Sequence, residues 1–434
     1  MASELWPSLQ APALHGDDEL CTVSAHGVRV RFLDGRELLC GTSGLWNANL
    51  GYGNEAVAEA CAAALRDASY LSVFRYENVY ARRAARELVE AAGEDSYARV
   101  IFSTSGGAAN DLVMKLARHH HALRGQGQRK LVVGLRDSYH GLTFGGFALT
   151  GENLGQPVYG VDQRLIRHVS PNAPEEIRTL AARQGSQIAA VVVEPVLGTG
   201  AVALTPAYVE TLLELREKHG FLLVADEVAT GFGRTGSLFA SQRWPAPPDV
   251  LITSKGLTNG TSAAAAVLVS GAVAEPFDAS GDVLVHGETQ AGTPVTCAAI
   301  SATLAEMRRL DAVASARRLS ARLDTALDAL VAGHPRVSAT TGAGCFRSIR
   351  LSAGGPGGDD VPLPQGEVPA LVAAIRRAGA LVHPSVSGVQ ILPALTYTDE
   401  DLDELLRRVR AGIDAHTAAP PTDAAAVGAG TGAV

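Results

Sequence analysis

The feature that most constrains the fold is a series of short, almost wholly apolar segments separated by amphipathic stretches. "ARVIFSTS" (98–105), "KLVVGL" (130–135), "IAAVVVEPV" (188–196), "FLLVADEV" (221–228), "DVLITS" (249–254) and "AAAVLVS" (264–270) are short and lack the polar alternation of a half-exposed strand. They read as strands covered on both faces, which is how a largely parallel sheet appears in sequence. Among them, "AANDLVMKLARHHHAL" and "PAYVETLLELREKHG" carry helical three–four spacing, as do "NEAVAEACAAALRDA" and "NVYARRAARELVEAAG" upstream. The alternation predicts an α/β fold with a mainly parallel central sheet flanked by helices. The stretch from Leu135 to about residue 170 reads as irregular.

Outside that core, residues 1–20 read as an irregular arm. "GVRVRFLDGRELL" (27–39) reads as a hairpin turning at Asp34-Gly35. After about residue 300 a single long Arg-rich helix, "AAISATLAEMRRLDAVASARRLSARLDTALDALVAG", leads into a smaller α+β unit. The predicted boundaries are an arm and hairpin over 1–45 that join the small domain, a large domain over 46–305, a small C-terminal domain over 306–415 and a disordered Ala/Gly/Pro-rich tail over 416–434. No apolar run reaches the roughly eighteen residues of a membrane helix. The first twenty residues lack a signal-peptide pattern, so a cytoplasmic location is expected. The net charge of −8 argues against nucleic acid as a partner. Five widely spaced cysteines without a C-x-x-C fit a reducing compartment and no structural zinc. His119, His120 and His121 point in different directions on a helix, so a solvated helix end is expected rather than a metal site.

Lysine usage carries the first chemical signal. Four lysines (Lys115, Lys130, Lys218 and Lys255) stand among 37 basic residues. Three fall on predicted polar helix faces or strand starts. Lys255 instead ends the core strand "DVLITS" with no acid beside it. Lysine can lose its proton and act as a nucleophile, which arginine cannot. A lysine desolvated at a strand end has its pKa lowered toward about 7–8 and can condense with an aldehyde. Two further features surround it. In "STSGGAAND" (103–111) a strand ends, Gly106 and Gly107 follow Ser105, and a helix begins, which suits a phosphate. In "LLVADEV" an apolar run enters Asp226, a carboxylate at the ligand-binding end of a core strand. Each feature alone is explained as well by an ordinary turn, a loop acid or a snorkelling lysine. Together they supply the three anchors of pyridoxal phosphate: a cradle for the phosphate, an acid for the ring nitrogen and an amine for the aldehyde.

"DEVATGFGRTG" followed by "SKGLTNG", with Lys255 29 residues after Asp226, closely resembles the class III aminotransferases, pyridoxal-phosphate enzymes of fold type I that include omega-aminotransferases. The resemblance runs from "GTSGLWNANLGYGNEAV" (41–57) to "VHPSVSGVQILPALTYTDEDLDEL" (382–405). It implies Lys255 as Schiff-base lysine and proton shuttle, Asp226 on the ring nitrogen and Val228 on one ring face. It implies Tyr139 on the other face with His140 beside it, and Ser105, Gly106 and Gly107 at the phosphate. Thr289 in "HGETQAGTP" would reach the phosphate of the neighbouring subunit, so a homodimer is expected. Trp46 would line the substrate pocket. The implied reaction is ping-pong transfer of an amino group from an amine or amino-acid donor to a ketone or aldehyde acceptor.

The departures from that family are informative. "SGGAAN" replaces the more usual "SGSEAN", and Ala229 replaces a glutamine. Members acting on amino acids often carry a glutamate in "EPIQGE" and an arginine in "RxxPPL". Here those positions are Thr199 and Gln390. A neutral pair avoids leaving one buried charge unpaired. It implies that one substrate lacks the usual carboxylate, with tailoring of a peptide-borne or other natural product in secondary metabolism as one setting. The competing readings are that Arg75 or Arg347 binds the carboxylate instead, or that the chain runs other class III chemistry as a racemase, aminomutase or decarboxylase.

Overall fold

The computed structural model describes residues 3–354 and 361–418. The chain divides into two compact units, one spanning Glu55–Val313 and the other combining the segments before and after it.

The larger unit is built on a seven-stranded sheet: β1 Arg99–Ser103, β2 Leu131–Leu135, β3 Ile166–Val169, β4 Ile188–Val193, β5 Leu222–Asp226, β6 Val250–Ser254 and β7 Ala265–Val269, in the order β1-β7-β6-β5-β4-β2-β3. Strand β7 is antiparallel to both neighbours, and the remaining pairings are parallel. The apolar runs are continuous because alternate residues feed two cores. Ala190, Val192 and Val224 pack with Leu112, Val113 and Leu116 on one face. Val191, Val193 and Leu223 pack with Ile177, Leu212 and Leu215 on the other.

The helices of this unit are α1 Glu55–Asp67, α2 Val79–Ala92, α3 Gly106–Leu123, α4 Phe144–Leu149, α5 Pro174–Gln184, α6 Pro206–His219, α7 Gly271–Ser280 and α8 Pro294–Arg309. Their ends follow local chemistry. The Thr205 side chain accepts from Tyr208 N–H at 3.3 Å to start α6, Pro206 occupies its first turn, and Gly220 ends it at φ +72°. Helices α1 and α8 pack through Val57, Cys61 and Ala299.

Three expectations need correction. Strand β3 and helix α4 lie in the stretch read as irregular; β3 is four residues long and half polar (Arg167, His168), so it offers no apolar run to read. The long Arg-rich helix is two helices, α8 and Ala312–Gly333, because Asp311 takes a left-handed φ of +44° between them. The histidines of α3 are not a solvated end. His120 and His121 are each 1% exposed, with His120 Nδ1 against Val273 O (3.2 Å) and His121 Nε2 against Ala189 O (2.9 Å). Both faces of that helix end are covered, by α7 and by β4. Burial pushes both imidazole pKa values down, His121 to about 4.

The smaller unit holds two four-stranded sheets. The predicted hairpin forms from Arg29–Phe32 and Glu37–Cys40 around Gly35, at φ +88°, and is extended by Thr22–His26 and Ala380–Leu381. The second sheet comprises Val337–Ala343, Phe346–Leu351, Gly388–Ile391 and His383–Ser385. Helix Asp399–Ala418 extends past the predicted end at 415; the rest of the predicted tail lies outside the described residues. Among the described residues no helix is long and apolar enough to cross a membrane.

Candidate active site

The carboxyl ends of β4, β5 and β6 converge with the start of α3. Residue Asp226 ends β5, pairs in register with Ile252 of β6, and is 3% exposed. Its carboxylate is held by the protein itself. Oδ2 accepts from His140 Nδ1 at 2.7 Å and from Asn110 Nδ2 at 2.9 Å, and Oδ1 accepts from Val228 N–H at 3.1 Å. Oδ1 therefore keeps a lone pair for one more donor. Burial alone would push the His140 pKa down. The hydrogen bond and charge of Asp226, with the charge of Glu194, outweigh burial and raise it.

Lys255 follows β6 directly, at a left-handed φ of +47° that non-glycine residues seldom adopt. Desolvation lowers its pKa to about 8, and the charge of buried Arg234 acts the same way, while Glu194 and Asp226 oppose it. A far larger share of the amine is thus neutral near physiological pH than in an ordinary lysine, although the protonated form still predominates below pH 8.

Helix α3 begins with Ser105, whose side chain accepts from Ala108 N–H at 3.2 Å, and then presents Gly106 and Gly107 in its first turn, where backbone N–H groups have no intrahelical partner. Both glycines sit against close neighbours. A Cβ on Gly106 would lie 3.0 Å from Val228 Cγ2, and one on Gly107 3.3 Å from Thr143 Oγ1. Gly141, at φ +109°, approaches so closely that its Cβ would sit 2.5 Å from the Gly107 Cα.

Two acids of this region escaped the sequence reading. Glu194 follows the apolar run of β4 as Asp226 follows β5, so the same rule would have found it. It is 4% exposed, and its oxygens accept from Tyr139 N–H (2.9 Å) and Gly198 N–H (3.0 Å). Burial pushes its pKa up to about 7. Burial, reinforced by Glu194 and Asp137, pushes Glu152 up to about 8. Tyr139 is half-buried, its phenol pKa raised by burial and then by these two acids.

The structure thus gathers Ser105, Gly106, Gly107, Tyr139, His140, Asp226, Val228 and Lys255 in one region of the larger unit. Thr199 opens a short turn after β4, next to Gly198 and therefore close to Glu194. Thr289 stands apart on an exposed loop, with its carbonyl accepting from Tyr70 Oη at 3.0 Å. Trp46 and Gln390 belong to the smaller unit. There Trp46 lies between Phe346 (ring centroids 5.1 Å apart) and His383 (5.2 Å), and His383 is the register partner of Gln390. Trp46 is 9% and Gln390 1% exposed, whereas His383 is only half-buried.

Residues 13–413 match the aminotransferase class III family. The chain belongs to the class III aminotransferases. It is 34% identical to an omega-aminotransferase of Caulobacter vibrioides over 71% of this chain and 75% of that one. It is also 34% identical to an acetylornithine aminotransferase of Mycolicibacterium smegmatis, over 92% and 95%. Among solved structures it resembles an (S)-enantioselective omega-transaminase from Thermomicrobium roseum, with TM-score 0.90, 28% identity and coverage of 95% and 96%. It is similarly close to a pyridoxal-phosphate-bound amine transaminase from an uncultivated Pseudomonas species, with TM-score 0.90, 27% identity and coverage of 96% and 99%.

The fold is therefore that of a fold-type-I transaminase, and pyridoxal phosphate is the cofactor of this class III enzyme. The site fits it. The spare lone pair of Asp226 Oδ1 suits a protonated ring nitrogen, and the first-turn N–H groups of the helix that Ser105 caps suit a phosphate. When bound, the cofactor supplies an electron sink. The protein supplies the rest. His140 and Asn110 hold the Asp226 side chain in place, and Lys255 Nζ, with its lowered pKa, can take up and return a proton.

Proposed function

We propose that this class III aminotransferase moves an amino group from an amine or amino-acid donor to a ketone or aldehyde acceptor by a ping-pong mechanism, with one substrate lacking the usual carboxylate. Lys255 acts as Schiff-base lysine and proton shuttle. Ser105, Gly106 and Gly107 hold the phosphate, Asp226 the ring nitrogen, and Tyr139 with His140 and Val228 the two ring faces. Trp46, Thr199 and Gln390 select the substrate. The carrying observation is that Thr199 and Gln390 are both uncharged, at positions where the class III resemblance implies a glutamate and an arginine in many members acting on amino acids.

The surroundings of Arg347 favour this reading. Arg347 is engaged by Asp324, by Gly344 O (2.9 Å) and by Gly342 O (3.3 Å), so it has little to offer a substrate carboxylate. Arg75, in contrast, is exposed and lines a surface cavity, and it carries the alternative in which another arginine binds the carboxylate. The similarity to an amine transaminase supports the same reading, and that to an acetylornithine aminotransferase supports the alternative of an amino-acid transaminase.

A homodimer in the cytoplasm is the proposed working form. In its support, exposed Phe74, Tyr76, Val283 and Val285 line a cavity of about 780 Å³ beside the loop of Thr289, an apolar surface that a second copy would cover. Tailoring of a peptide-borne or other carboxylate-free natural product is the proposed setting.

A donor screen tests the reading, with conversion to the pyridoxamine form followed by absorbance. Neutral amines should react in at least one half-reaction. If only amino acids bearing a second free carboxylate react in both halves, the neutral-pocket reading is wrong. Turnover that needs no carbonyl acceptor would instead indicate racemase, aminomutase or decarboxylase chemistry. Gln390→Arg should shift preference toward carboxylate-bearing donors by about tenfold or more.

A further inference from the structure

The loop "HGETQAG" (286–292) contains an acid, Glu288, whose carboxylate reaches back to the strand that feeds the phosphate cradle. It accepts from the Thr104 N–H at 3.1 Å and from the hydroxyls of Ser103 and Thr104. Ser103 is the last residue of β1, and Thr104 immediately precedes Ser105, the cap of α3. Burial acts to raise the Glu288 pKa; the hydrogen bonds from Ser103 and Thr104, with nearby His286, outweigh it and bring the pKa below the ordinary value. The group is thus an anion at neutral pH.

The rest of the loop is equally pinned. Tyr70 Oη donates to Thr289 O at 3.0 Å and Asn78 Nδ2 to Gly292 O at 2.9 Å. A Cβ on Gly287 would lie 2.6 Å from the Phe74 ring, so the backbone is pressed against that side chain. The loop is a fixed support, and Glu288 is its side-chain link to the end of β1.

We infer that Glu288 is a positioning residue for the phosphate cradle: it clamps Ser103 and Thr104 so that Ser105, Gly106 and Gly107 present their N–H groups in a fixed geometry. Because Glu288 directly precedes Thr289, the same clamp also fixes the residue proposed to reach the partner subunit's phosphate. The inference rests on the proposed cradle and extends it. A clamp of this kind acts on the phosphate end of the cofactor and leaves the aldehyde end to Lys255.

The test compares two probes, pyridoxal phosphate and phosphate-free pyridoxal, binding to apoenzyme of the full chain. Glu288→Ala should weaken pyridoxal phosphate by at least about tenfold, the scale of hydrogen bonds to a charged group. It should leave pyridoxal within about twofold. Thr104→Val, which keeps volume and removes one donor, should weaken pyridoxal phosphate by about threefold in the same selective way. Thr289→Ala should lose less than Glu288→Ala, because the clamp acts on both segments. Unchanged pyridoxal phosphate binding in Glu288→Ala and Thr104→Val, or an equal loss for both probes, overturns the inference. Gly106→Ala separates the two levels. If it too leaves the ratio of the two probes unchanged, the cradle assignment itself fails; if it lowers the ratio while Glu288→Ala does not, only the role of Glu288 fails.

Discussion

The end of β5 and the turn that follows carry two carboxylates in consecutive positions, Asp226 and Glu227, and they do opposite things. Asp226 is held by groups from elsewhere, His140 and Asn110, and keeps a lone pair unspent. Glu227 is saturated by its own loop. Its oxygens accept from Thr230 Oγ1 (2.9 Å), Ala240 N–H (2.7 Å), Ser241 N–H (2.8 Å) and Ser241 Oγ (2.6 Å). It is wholly buried, and burial raises its pKa against those four hydrogen bonds. One acid is poised for a ligand; its neighbour fastens the "DEVATGFGRTG" loop. The same residue chemistry becomes function or framework according to whether its acceptor capacity is spent inside the fold.

The largest effect expected on the functional side is at the lysine proposed to form the Schiff base. Lys255→Ala should lower amine transfer by at least about a thousandfold, with the cofactor-linked absorbance band lost, because no other neutral amine replaces it. Next, Asp226→Asn should act mainly on kcat, cutting it by roughly a hundredfold or more, with a smaller loss of stability as the new amide meets Val228 N–H or the His140 and Asn110 donors. Glu227→Gln should do the reverse: on the order of 3 kcal/mol of stability lost in urea titrations, since an amide hydrogen would meet a backbone N–H. The effect on kcat of the surviving folded enzyme should be small. If Asp226→Asn unfolds the protein and Glu227→Gln silences it, the contrast between the two acids is wrong.

A pH measurement sharpens the same picture. Lys255 has its pKa lowered to about 8, so below that pH it is mostly protonated and cannot attack an aldehyde. Uptake of pyridoxal phosphate by apoenzyme, followed by stopped-flow absorbance, should therefore accelerate as pH rises, with a midpoint near 8. A midpoint near that of an ordinary lysine, about 10.4, would show that the amine is not desolvated. The smallest effect is expected at Val228→Ala, which removes packing from Gly106: cofactor affinity should fall only a few fold.

Much of this enzyme was legible without coordinates. The core strands were readable because a strand covered on both faces needs apolar residues at every position, and Lys255 and Asp226 stood out because each breaks such a run at its end. Glu194 carried the same signal and was passed over. Strand β3 and the break at Asp311 were not legible, because a short polar edge strand and one left-handed residue leave no periodic trace. Only the tertiary structure decided which acids are spent and which are available. His140 meets Asp226 across 86 residues, Ser103 meets Glu288 across 185, and His120 and His121 are buried by elements far along the chain. Local pattern determines strands, helix starts and the residues at their ends. Partner choice, burial and the pKa shifts that follow depend on which distant segments pack together, and that is a property of the folded chain.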